Sequence, residues 1–139
     1  LLGSAMAAMG FAKGLGVVHS LAHQLSTQVD VSHGLAISVL LPHGIDFNID
    51  AAPRQYCELA AAMGISRDGL SEKDTACRLV RALDDTVQRF ALPTKLRDLG
   101  IARGDIREMG ERAMLDHCHA TNPRPCSIED MVALLEKAF

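Results

Sequence analysis

Residues 11–48 read FAKGLGVVHSLAHQLSTQVDVSHGLAISVLLPHGIDFN, and this stretch decides the architecture. Its first part belongs to a longer segment, residues 2–25, rich in Ala, Met, Gly and Leu, in which Lys13 is the only charge. A helix that is apolar on most faces has to be buried against other elements. Gly10, Gly14 and Gly16 weaken such a helix but let a neighbour approach closely. Residues 26–32 (STQVDVS) form a short polar connection. A second apolar segment runs from His33 to Asp50. Its alternation around residues 35–39 suits a strand as well as a helix, and Pro42 and Gly44 are expected to kink or interrupt it.

Beyond this block the helix signals are local and regular. Pro53 stands at a favoured first-turn position, and Gly64 lies where a C-cap would end that helix. Ser71 offers an N-cap with Asp74 three residues on, opening a helix to about Phe90 whose Leu79, Val80, Leu83 and Val87 face inward. Leu92-Pro93 ends it. A short helix follows at about 104–118, then the rigid loop Asn122-Pro123-Arg124-Pro125. Ser127 caps the last helix, with Asp130 at the reciprocal position and Met131, Leu134, Leu135 and Ala138 at helical spacing. The expectation is an all-α bundle of about six helices forming one domain, residues 1–139.

Composition agrees. A chain of 139 residues suits one domain, and folding at that size hides roughly two-thirds of the unfolded surface. Apolar residues make up 48% and aromatic residues only 4%, with no Trp, so Ala, Leu, Val and Met must fill the core. That favours helices over a β-sandwich. With 14 basic against 17 acidic residues and a net charge of -3, there is no electrostatic footprint for nucleic acid or anionic lipid, and neither is expected as a partner. Cys57, Cys77, Cys118 and Cys126 form no C-x-x-C and suggest no disulfide framework, so a reduced, cytoplasmic setting is expected. No apolar run approaches bilayer-spanning length, and no basic region with a cleavage site opens the chain. Leu1 reads as the middle of a helix, so an upstream segment is expected.

Six histidines occur, and His19, His23 and His33 stand out. His19 and His23 are i and i+4, so both rings leave one helix face a turn apart. A turn after Gln24 would bring His33 back towards His19. Imidazole is the commonest ligand for ions such as iron and zinc. Spacing alone is a modest signal, because buried structural histidines are common. First-row metal sites also take three or four protein ligands, and Asp30 is the only carboxylate close in sequence. His117, Cys118, His119 and Cys126 would suit zinc by ligand type, but C-x-H…C lacks a paired knuckle, and an ordinary loop is preferred. His43 reads as a structural histidine and Lys13 as a solvated side chain.

The block closely resembles the signature of iron-containing (group III) alcohol dehydrogenases. G-x-x-H-x-x-A-H-x-L is matched by Gly16, His19, Ala22, His23 and Leu25. His33-Gly34, Leu41-Pro42-His43 and Phe47-Asn48 follow in order, His33 lying 14 residues after His19 as in that family. LPTKLRDLGI and TNPRPCSIEDMVALLEKAF resemble its later segments, so the likeness covers essentially the whole chain. It implies the helical C-terminal domain of a dehydroquinate-synthase-like fold. His19 and His33 would be ligands to iron(II) or zinc, and His23 a catalytic residue beside the nicotinamide of NAD or NADP. The remaining ligands, an Asp and a His, and the dinucleotide-binding domain would lie upstream of Leu1. The implied activity is hydride transfer between a small alcohol or aldehyde and NAD(P), absent from the isolated chain. The implied partners are the missing N-terminal half or a second copy. Gln24 and Ser26 stand where that family usually has Pro and Gly after the middle histidine. The alternative is a stand-alone helical interaction or regulatory module that keeps the fold.

Overall fold

Glycine and proline divide this chain, though not everywhere the pattern suggests. A computed structural model describes residues 1–139, and every regular element in it is helical. The apolar start is not one helix. α1 spans Leu2–Gly10, a 3-10 turn covers Phe11–Lys13, and α2 spans Val17–Val29 after a bend of 103°. Gly14 makes that bend possible with φ 89°, a conformation costly for any residue with a Cβ. A Cβ there would also overlap the Thr121 side chain. Asn122 then secures the new start, since its Oδ1 accepts the Val17 amide at 3.3 Å. α2 runs past the expected end at Leu25 and stops at Asp30, which is left-handed at φ 54°.

The expected burial of the whole first segment also needs correction. No residue of α1 is buried, and Leu2, Met6, Met9 and Phe11 are all exposed. No single helix is long and apolar enough to cross a membrane.

α3 is a continuous helix, His33–Asn48, with Pro42 inside it. Neither the strand reading nor the interruption holds. An interior proline costs a helix about 3 kcal/mol, but α3 is held at both ends by burial. Ala36, Val39 and Leu40 enter the larger core, and Ile45 and Ile49 the smaller. Gly44 lies directly against α2, since a Cβ at that position would overlap Val18.

α4 (Pro53–Ala62) and α5 (Glu72–Arg89) begin as expected, the Ser71 hydroxyl accepting the Asp74 amide at 3.1 Å. They pack on the end of α3 around Ala60, Ala76 and Leu79. After 3-10 turns at Leu96–Leu99 and Arg103–Asp105, α6 covers Ile106–Ala113. The helix expected at 104–118 thus ends early. A separate 3-10 turn, His117–Thr121, takes over where Asp116 accepts the Cys118 amide at 2.8 Å. α7, Ile128–Ala138, closes the chain, giving seven α-helices where about six were expected. The larger core joins α2, α3, α6 and α7 through Leu21, Leu25, Leu40, Met109, Met131 and Leu135.

Ser127 and Asp130 form a full capping box on α7. Ser127→Ala is expected to lower stability by about 1 kcal/mol. A urea midpoint that did not move would show that the cap carries no energy here.

Candidate metal centre

α2 places His19 and His23 on one face because they are four residues apart, and α3 brings in His33 with its first residue. The three rings meet. Their centroids lie 5.4 Å apart for His19 and His33, 5.3 Å for His23 and His33, and 6.2 Å for His19 and His23. Two imidazoles on one tetrahedral cation, each with a metal–nitrogen bond of about 2.0–2.1 Å, have centroids roughly 5 Å apart. His19 and His33, inclined at 50°, fit that arrangement. His23 and His33 are stacked at 26°, which suits neighbours better than rings radiating from a common ion. Phe11 closes one side, edge-on to His19 at 6.3 Å.

Burial lowers the pKa of His19, and the adjacent His33 and His23 lower it further, while Asp116 opposes them. A neutral ring with a free lone pair is the form that binds metals. Asp30, the acid nearest in sequence, ends α2 and joins no part of this cluster in the role first considered for it.

The carboxylate that does reach the cluster comes from the far end of the chain. Asp116 Oδ2 lies 2.7 Å from Nδ1 of His23, with side-chain exposures of 15% and 38%. Partial burial disfavours the charged Asp116. The hydrogen bonds from His23 and from the Cys118 amide and thiol outweigh that, and its carboxyl is held below the usual range. Burial, then the hydrogen bond to Asp116 and that carboxylate's charge, push the Cys118 thiol up to about 11. The donor atoms of His23, Asp116 and Cys118 all lie within 4.8 Å of one another. A metal there would compete for a carboxylate already engaged and a thiol that resists ionisation. The His19–His33 pair, with His23 beside it, is the better candidate.

Spacing revealed the histidines but not Asp116, which is 93 residues from His23. The only hint was its place just before the His/Cys run. That run does not gather as a zinc knuckle. His119 Nε2 bonds the Met114 carbonyl at 3.1 Å, and Cys126 packs against the larger core. His43 is half-buried on α3, and burial first, then Lys95, lowers its pKa. A cavity of about 410 Å³ lined by Lys13, Val17, Asn48, Tyr56 and Asn122 includes none of the three clustered histidines.

Fold and cluster together define an all-helical domain that presents imidazoles at the meeting of two helices. A family model described as "Fe-containing alcohol dehydrogenase family, C-terminal" matches residues 1–139. Lactaldehyde reductase of Escherichia coli (strain K12) is 35% identical over 139 residues, covering 99% of this chain and 36% of that protein. 1,3-Propanediol dehydrogenase of Klebsiella pneumoniae is 36% identical over 137 residues, covering 98% and 35%. A crystal structure of a 1,3-propanediol oxidoreductase superposes with a TM-score of 0.87 at 37% identity, covering 90% of this chain and 33% of that one. The chain belongs to the iron-containing alcohol dehydrogenase family, as its C-terminal part. It spans about a third of the length of the curated relatives it matches.

Proposed function

We propose that this chain is the helical half of a metal-dependent alcohol dehydrogenase or aldehyde reductase, with His19 and His33 as metal ligands and His23 as the catalytic residue beside them. The observation that carries it is the convergence of three imidazoles from two helices, 5.3–6.2 Å apart. The donor set is all nitrogen, which suits iron(II) or zinc, and the family description favours iron. NAD is the expected nucleotide over NADP, since one relative is an NAD-dependent methanol dehydrogenase. When bound, the cation supplies Lewis-acid charge to the oxygen of an alcohol or aldehyde, and the nicotinamide exchanges the hydride.

This chain's own residues do the rest. His19, half-buried, and His33, exposed at the start of α3, offer the lone pairs. His23 orients the nicotinamide or passes the alcohol's proton outward, its ring partly open to solvent. Phe11 shields one edge. Two protein ligands leave a first-row sphere incomplete, so the remaining donors and the nucleotide cleft belong to a further domain. The exposed apolar residues of α1 give that domain, or a second copy, a surface to cover. Four free cysteines accord with a reducing, cytoplasmic setting.

Titration of the metal-free chain with zinc or iron(II), followed by calorimetry, tests the ligand assignment. One equivalent should bind weakly, and His33→Ala should abolish the signal. The chain by itself should turn over no short alcohol with NAD or NADP. Binding indifferent to both His19 and His33 would remove the reading.

A further inference from the structure

Asp116 does more than neighbour the cluster. Its two oxygens receive donors from three directions. Oδ2 faces Nδ1 of His23 at 2.7 Å, while Oδ1 accepts the Cys118 amide at 2.8 Å and the Ser20 hydroxyl at 3.3 Å. Ser20 itself is fully buried on α2. The carboxylate is also held from behind. It caps the 3-10 turn His117–Thr121, and that turn is fastened to the start of α2 by the Thr121 hydroxyl, which donates to the Leu15 carbonyl at 2.7 Å. Asn122, one residue on, accepts the Val17 amide and exchanges hydrogen bonds with Asn48 at 3.0 and 2.7 Å. Neither end of the His23–Asp116 contact can drift without disturbing this set.

An ionised carboxylate can only accept hydrogen bonds, so the His23 nitrogen facing it must carry the hydrogen. In a neutral imidazole the other nitrogen then holds the lone pair. We propose that Asp116 is a positioning residue that fixes His23 as its Nδ1–H tautomer and leaves Nε2, the nitrogen turned away from Asp116, as the accepting atom. This rests on the reading of His23 as the working residue beside the metal, and it supplies the reason that residue presents one defined nitrogen. Partners of this kind commonly set tautomer and ring orientation in histidine sites.

Asparagine at 116 gives a sharp test because its two ends differ. Its carbonyl is retained by the Cys118 amide, a fixed backbone donor, and by Ser20. Its NH2 group then faces His23 Nδ1, which has to accept, and the tautomer inverts. The measurement is a long-range proton–nitrogen spectrum of the chain labelled with 15N-histidine. It is taken without metal at about pH 8, above the ordinary histidine range, and His23 is assigned by its loss in His23→Gln.

The parent chain should show the Nδ1–H pattern, Asp116→Asn the Nε2–H pattern, and Ser20→Ala the parent pattern. Amide spectra report whether each variant keeps the fold, and the parent spectrum decides the matter even if one variant does not. An Nε2–H pattern in the parent chain would overturn the proposal, as would an Nδ1–H pattern retained in a folded Asp116→Asn. Metal-free conditions separate the two readings. A chain with the expected tautomer that binds no metal would lose its metal assignment and keep the positioning by Asp116.

Discussion

His19→Ala should cut the chain's affinity for zinc or iron(II) by roughly 100-fold or more, since the loss of even an outer partner of a metal-binding histidine commonly costs 10- to 100-fold. One imidazole of a pair whose ring centroids lie 5.4 Å apart is then gone, and no carboxylate of α2 stands ready to replace it. Stability should change little, because His19 is outside the buried core. His43→Ala serves as the comparison. It removes an imidazole from the same chain but away from the cluster, on a part of α3 flanked by Lys95 and Asp84, and should leave metal affinity where it was. Equal losses from both replacements would mean that binding is diffuse histidine binding rather than a site.

A second large effect is expected at the crossing of α2 and α3. Gly44→Ala puts a methyl group into space held by Val18. Overpacking of this kind costs about 1–3 kcal/mol, and the strain falls beside His19, the residue after Val18. Urea unfolding should show a lower midpoint at an unchanged slope, and metal affinity should fall with it because the helices bearing His19 and His33 are pushed apart. Val18→Ala opens the same space. Combined with Gly44→Ala it should recover part of the loss, a coupling that a double-mutant cycle reads directly. Strict additivity would show that the two residues do not compete for one volume.

The histidine cluster was legible because its information is local. An i, i+4 pair on a helix and a third ring at the next helix start depend on short stretches, and the family resemblance named the same positions. The caps at Ser71 and Ser127 and the proline opening α4 were legible for the same reason, each being complete within four residues. What escaped notice depends on distant chain. The break at Gly14 looks like any glycine in an apolar run until Thr121 is packed against it and Asn122 against Gly16. Pro42 signals an interruption, yet two separate cores hold α3 continuous through it. Apolar composition argued that α1 is buried, but composition cannot say whether the covering surface is within these residues. Asp116 carries no periodic signature, and only the packing of its turn on α2 brings it to His23.

The reciprocal amide pair between Asn48 and Asn122 gives the last eighteen residues an unexpected bearing on the histidines. A stop ahead of position 122 would remove α7 and its share of the larger core, and replacing Asn122 alone would strip the Val17 amide of its acceptor and let the first turn of α2 fray. His19 sits within that turn. A replacement at position 122 therefore acts as a remote perturbation of the imidazole geometry, whereas cutting within the loop between α4 and α5, residues 63–71, leaves this clasp untouched.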